Sequence, residues 1–255
     1  MLWHPQPHRG KPFFTYISYT MVHVPVLPSP EFDGKTGNGF GADGLAQTDA
    51  YVGELLDAVD KLGVKNNAIF IFTSDNGPEM IEPWTGWSGP WRGTYFTGLE
   101  GSLRVPFIIR WPGRISPGQV SNEIVHEMDI FPTLARVAGG KVPTDRAMDG
   151  VDQLDFMTGK QPKSNRDGFV VYVGNKIYGV KWENWKMMSK ELDTGTGVVK
   201  EWGIPRFFNE HALSYEIESL WVRYPAGKIL TDYLASFQKY PPIKPGTPDP
   251  CVPSN

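Results

Sequence analysis

Ala68-Ile69-Phe70-Ile71-Phe72-Thr73-Ser74-Asp75-Asn76-Gly77-Pro78-Glu79 opens as an unbroken apolar run and ends on a carboxylate, an amide and a glycine. A β-prone segment of this kind, bounded by turn residues, reads as a strand buried on both faces, as in a parallel sheet covered by helices. Ligands in such sheets bind beyond the carboxyl ends of the strands, the position that Asp75 and Asn76 would take. A carboxylate oxygen and an amide oxygen on neighbouring residues suit calcium or magnesium better than a softer metal. The competing reading makes Asn76-Gly77 a hairpin turn, although Pro78 and Glu79 argue against an immediate return strand.

Working outward, Leu45, Val52, Leu55, Leu56, Val59 and Leu62 recur at helical spacing before the strand, with Gly63 as the expected stop. A helix feeding a strand belongs to α/β folds. Upstream, Phe13–Tyr19 reads as another strand, followed by a Pro- and Gly-rich loop to Ala42. Downstream, Gly77–Gly101 is a long loop holding Trp84, Trp87, Trp91 and Tyr95, and an irregular segment of that length inside a domain points to function. Val105–Arg110 is then a strand, and Asp129 is the expected N-cap of a helix over Phe131–Ala138 closed by Gly139-Gly140.

The composition shifts over Lys160–Arg166, which places a boundary between residues 1–165 and a smaller region, 166–255. In the latter, Phe169–Val173, Lys176–Val180 and Trp185–Met188 read as short strands joined at Gly174-Asn175 and Glu183-Asn184, an antiparallel meander. Ile229, Leu230, Tyr233, Leu234 and Phe237 form a helical stripe that would cover one face of that sheet. The Pro-rich tail from Pro241 is expected to be peripheral.

With 255 residues, 40% of them hydrophobic and 13% aromatic, the chain is long enough to bury a core. A formal net charge of −3 gives no electrostatic case for nucleic acid or an anionic membrane as partner. No apolar run reaches the roughly 18 residues that a membrane-spanning helix needs, and Met1–Gly10 lacks the apolar core of a signal peptide, so the compartment stays open. One cysteine, Cys251, excludes an internal disulfide. No internal repeat is present.

Further motifs cluster around the metal-type block. Pro12–Tyr19 leads into Val22-His23-Val24-Pro25, and Glu100-Gly101-Ser102-Leu103-Arg104-Val105-Pro106 leads into Trp111-Pro112-Gly113. Met128-Asp129-Ile130-Phe131-Pro132-Thr133-Leu134 and Met148-Asp149-Gly150-Val151-Asp152 follow. Together with Ser74-Asp75-Asn76-Gly77, these blocks resemble the sulfatase family of the alkaline phosphatase superfamily, in family order over roughly residues 12 to 160. The resemblance implies a mostly parallel sheet flanked by helices, ending in a small antiparallel sheet with a helix. It implies that Asp75 and Asn76 bind calcium, and that His23 contacts the sulfate and protonates the departing alcohol, work that suits a pKa near neutrality.

The same resemblance shows departures. The family's nucleophile, a formylglycine made from Cys or Ser in Cys/Ser-x-Pro-x-Arg, is absent ahead of Lys11, so the chain looks like the C-terminal half of a sulfatase. Cys251-Val252-Pro253-Ser254-Asn255 matches that motif only superficially, with Asn in place of Arg. Where the family places a sulfate-binding lysine this chain has Tyr95, and the retained Arg92-Gly93 makes Arg92 the substitute donor. Glu100 and Arg104 are expected to form an ion pair that shapes the loop. Three functions follow as expectations: an arylsulfatase-like sulfuric ester hydrolase inactive without its nucleophile half, a non-catalytic partner module, or a phosphodiester or phosphonate ester hydrolase. A sheet lacking strands would also expose an edge and an apolar face, which predicts pairing with the missing half or self-association.

Overall fold

The computed structural model describes residues 11–192, 197–209 and 217–241. Cys251, His4, His8, His211 and the tail beyond Pro241 lie outside them. The chain divides into two compact units, Met1–Asp57 with Ile81–Thr85, and Ala58–Met80 with Gly86–Asn255. Among the described residues no helix is long and apolar enough to cross a membrane.

The first unit is organised by the start of helix α1, Phe40–Lys61. Two buried polar side chains on that helix fold the preceding loop back onto it. Asp43 accepts hydrogen bonds from the amides of Gly34 and Thr36 and from the Thr36 hydroxyl, at 2.9, 2.8 and 2.7 Å. Gln47 accepts from the Ser29 amide and donates to the Tyr51 hydroxyl. Gly44 lets Val26 approach so closely that a Cβ there would sit 2.6 Å from its side chain. Of the expected apolar stripe, Val52, Leu55, Leu56 and Val59 are half-buried while Leu45 and Leu62 are exposed. Gly63 adopts positive φ just past the helix, the stop its sequence position suggested.

The expected strand over 13–19 does not form. A strand needs a neighbour for its backbone groups, and among the described residues this segment has none. Its apolar side chains are left in solvent, with Phe14 at 77% and Tyr16 at 82% exposure.

In the second unit, β1 (Phe70–Thr73) is half-buried along its whole length, short of the burial on both faces that its unbroken apolar sequence predicts. Its partner comes after the four-residue helix α2 (Glu100–Leu103): β2 (Phe107–Arg110) pairs with it antiparallel, from Phe70 opposite Arg110 to Thr73 opposite Phe107. These two strands make up their sheet among the described residues, so the parallel pairing that the buried run suggested is not displayed here. The long connection between them also removes the hairpin reading of Asn76-Gly77.

Helices α3 (Ile130–Val137) and α4 (Leu154–Met157) follow. Asp129 does not cap α3 in the expected way, and no side-chain cap bond forms there. Its carboxylate is fully buried and accepts instead from the amides of His126 and Val151, from Gln153 and from Arg166. Arg166 is itself 8% exposed, so the pair is shielded from solvent and tied to the chain on both sides of the turn. His126 has a structural role, accepting from the Met128 amide in a reciprocal capping box with Asp129.

The meander is present and one strand larger than expected: β3 (Gly168–Val173), β4 (Lys176–Trp182), β5 (Trp185–Leu192) and β6 (Val199–Asn209), antiparallel in chain order. Positive φ at Gly174 and Glu183 makes the two predicted turns. Each face of the sheet carries an apolar cluster. On one, Val180, Met187 and Phe207 pack against Val222 and against Ala226, Ile229 and Leu230 of α5 (Arg223–Lys239), the helix predicted from its stripe. On the other, Val171, Tyr178 and Met188 pack against Leu99 and Leu103, which flank the Glu100 block. The small sheet is therefore the floor on which the site loop rests.

Candidate functional site

β1 ends at Thr73 and releases Ser74, Asp75 and Asn76 beyond its C-terminal edge. Asp75 is exposed, and its Oδ1 accepts from the Asn76 amide at 3.0 Å. Asn76 donates its side-chain amide to the Gly77 carbonyl at 2.9 Å, which leaves its Oδ1 as the atom to offer a cation. A neighbouring carboxylate comes from Glu127, whose pKa is raised by burial and by the charge of Asp75. A carboxyl group whose proton affinity is raised by burial and by a neighbouring carboxylate, as at Glu127, is a setting in which a cation is welcome. Among the described residues no group of three or more His, Cys, Asp or Glu side chains gathers to hold a metal. The donor chemistry of Asp75 and Asn76 fits calcium, to which they would supply two of the about six to eight oxygens it takes.

Backbone contacts fix this segment to the loop that follows. Gly77 donates to the Ser102 carbonyl at 2.8 Å, Tyr95 to that of Pro78 at 3.0 Å, and Gly86 to that of Glu79 at 2.8 Å. Gly101 in turn donates to the Arg92 carbonyl at 2.8 Å. The approach is too close for side chains: a Cβ on Gly77 would lie 1.8 Å from the Gly101 carbonyl, and one on Gly101 would lie 2.1 Å from that of Gly93. The glycines of Asp-Asn-Gly and Glu-Gly are required by this stacking of three backbone layers.

Glu100 holds the stack to the floor. It accepts from Arg104 at 2.7 Å, the ion pair read from the sequence, and also meets Lys186 at 2.7 Å and Lys181 at 3.3 Å. Those lysines stand opposite each other on β4 and β5 and are only 4% and 5% exposed. Like charges facing across a ladder repel, so the carboxylate between them is what makes the pair tolerable. Lys186 also donates to the Gly98 carbonyl at 3.0 Å. Burial works to raise the Glu100 pKa, but the charges of Lys186 and Lys181 and the hydrogen bonds from Lys186 and Arg104 overcome it and hold the group at about 2. Burial pushes the Lys186 ammonium down to about 8, against the opposing pull of Glu100. Neither lysine was singled out in the sequence, where they stand more than 80 positions from Glu100.

The remaining predicted residues are placed as follows. Arg92 pairs with Glu191 of β5 at 2.5 Å, and the Tyr95 ring packs edge-on against Phe96 at 4.4 Å. His23 belongs to the first unit and is exposed; its Nδ1 lies 2.7 Å from the Val24 carbonyl. A carbonyl only accepts, so Nδ1 carries the proton and Nε2 is the basic nitrogen of the neutral ring.

The family model described as Sulfatase matches residues 3–140, and that described as N-sulphoglucosamine sulphohydrolase, C-terminal, matches residues 95–194. The chain is 36% identical to a steryl-sulfatase of Rattus norvegicus over 181 residues, 69% of this chain and 31% of the relative. It is 34% identical to an N-acetylgalactosamine-6-O-sulfatase of Bacteroides thetaiotaomicron over 189 residues, 70% of this chain and 37% of the relative. Among solved structures, the PsFucS1 sulfatase from Pseudoalteromonas sp. superposes with a TM-score of 0.81 at 28% identity, covering 88% of this chain and 48% of that one. The matched region spans about a third of these curated relatives and about half of the solved structure.

The Glu100 geometry predicts a distinct acid response. Its folded pKa of about 2 lies below the ordinary 4.5, so the stability it contributes is present above pH 4.5 and lost as pH falls from there towards 2. Lys186 works the other way: with its folded pKa of about 8 below the ordinary 10.5, it lowers stability at neutral pH, and that cost is relieved between about 8 and 10.5. Urea unfolding across pH should show both slopes. Glu100→Gln should cost about 3 to 5 kcal/mol at pH 7 and flatten the acidic one; an unchanged acid slope would refute the assignment.

Proposed function

This chain belongs to the sulfatase family, and from that premise we propose that it forms the metal-block part of a site hydrolysing sulfuric esters through formylglycine and calcium. The observation that carries this reading is the Asp75-Asn76 pair, released at the end of β1 and held by the glycine stack over Glu100. In the proposal Asp75 and Asn76 bind calcium through their side-chain oxygens. Calcium, when bound, supplies positive charge against the charge that grows on the sulfate oxygens. His23, with Nε2 as its basic nitrogen, takes the sulfate or the departing alcohol as hydrogen-bond partner. Arg92 and Tyr95 are the proposed donors to substrate from the loop. The formylglycine nucleophile and the rest of the metal shell come from polypeptide other than the residues described, which leaves the chain inert by itself.

Calorimetric titration with calcium chloride, run beside an aryl sulfate assay, tests this. Two protein donors should give weak binding, roughly millimolar, that Asp75→Ala abolishes, with no turnover of the ester. Turnover that survives Asp75→Ala, or calcium binding indifferent to it, would overturn the assignment.

A second reading, a partner module, is favoured by one specific observation: Phe13, Phe14, Tyr16 and Ile17 stand in solvent in the first unit, as does Ile108 on β2 in the second. The exposed run Phe13–Ile17 is by itself the kind of apolar stretch that another polypeptide covers. Light scattering on the purified chain should show dimers or larger species; a single sharp monomer peak up to high concentration would remove this reading.

A further inference from the structure

The dipeptide Asn-Gly occurs twice in this chain, at Asn38-Gly39 in the first unit and at Asn76-Gly77 in the second. Asparagine is a thermolabile residue, and a following glycine lets the next amide nitrogen reach its Cγ with no side chain in the way. The two copies stand in opposite surroundings. We propose that Asn38 is a site of spontaneous deamidation that loosens the loop carrying His23, and that the glycine stack protects Asn76 from the same reaction.

Asn38 is exposed, and a Cβ added to Gly39 would meet nothing within 4 Å. Among the described residues the Gly39 amide has no hydrogen-bond partner, and the Asn38 side chain makes one bond, from Nδ2 to the Thr36 carbonyl at 3.1 Å. Hydroxide can take the Gly39 amide proton, and the nitrogen then attacks Cγ. The bond from Cγ to Nδ2 breaks, and ammonia leaves after taking a proton from water. Water opens the resulting succinimide at either carbonyl, giving an aspartate, or an isoaspartate whose main chain runs through the former side chain. At Asn76 the same attack is blocked. Gly77 is buried, its amide donates to the Ser102 carbonyl at 2.8 Å, and the Gly101 carbonyl fills the place of its missing side chain.

Conversion at position 38 acts on the start of α1. A carboxylate there has no donor for the Thr36 carbonyl and repels it. Thr36 holds Asp43 through its amide and hydroxyl, and the Gly39 carbonyl accepts from the Asp43 amide at 3.1 Å. An isoaspartate lengthens the main chain by a methylene between those contacts. Gly44, the next residue of the helix, is where Met21, Val22 and Val26 come close to α1. These residues bracket His23, so a frayed helix start releases its loop.

Peptide mapping by mass spectrometry of the full chain, aged in mildly alkaline buffer, tests this, with isoaspartate detected by enzymatic methylation. Asn38 should convert within about threefold of the rate in a short peptide of the same sequence, and Asn76 about tenfold more slowly or less. Urea should bring the two rates together, and Glu100→Gln, which weakens the stack, should speed Asn76 alone. Hydrogen exchange over residues 21–26 should rise as the native chain ages and be raised from the outset in Asn38→Asp. In Asn38→Gln, whose longer side chain closes the ring reluctantly, it should stay low. Slow conversion at Asn38, equal rates at the two sites, an Asn76 that stays slow in Glu100→Gln, or exchange unchanged in Asn38→Asp would each overturn the proposal. None of these rates depends on the ester hydrolysis reading, so the two can fail separately.

Discussion

One buried carboxylate holds the second unit together. Glu100 sits between Lys181 and Lys186, which face each other from adjacent strands, and it takes Arg104 from its own helix. Two ammonium groups opposite each other in a shielded ladder would repel and would each lose hydration. The carboxylate offsets both effects only because Leu99 and Leu103 anchor its helix to the apolar face around Met188. Everything nearer the site builds on that contact. Gly101, the next residue, lies against the backbone of residues 91–93, and Gly77 lies against Gly101. The position of Asp75 and Asn76 is thus set by a sheet that begins only at Gly168.

Seen this way, the C-terminal sheet is part of the site's construction. It supplies the lysines below the loop, and through Glu191 it supplies the partner of Arg92. The departure at Tyr95 also makes sense locally: its amide secures Pro78, while its ring packs on Phe96, so the position contributes shape where the family has charge.

Much of this was legible in the sequence because the signals were local. The apolar run of β1, the stripes of α1 and α5, the turns at Gly174 and Glu183 and the Glu100 to Arg104 spacing each depend on neighbours within a few residues. The misses share the opposite property. Lys181 and Lys186 read as solvent-facing charges in a strand until Glu100 is folded over them. β6 escaped because its pairing is broken opposite Ser189, where Trp202-Gly203-Ile204-Pro205 interrupts the strand pattern. Asp129 has an ordinary capping position, and the distant Val151, Gln153 and Arg166 turn it into a buried hub. Phe13–Tyr19 has strand composition, but composition does not provide a neighbour to pair with.

The central claim, that Glu100 and Lys186 act as one unit, is tested most directly by a double-mutant cycle. Glu100→Gln, Lys186→Met and the double variant would be compared by urea unfolding at pH 7. A coupling of about 2 to 3 kcal/mol is expected, with the double variant more stable than the sum of the single effects implies. Additive losses, agreeing within about 0.5 kcal/mol, would contradict the account.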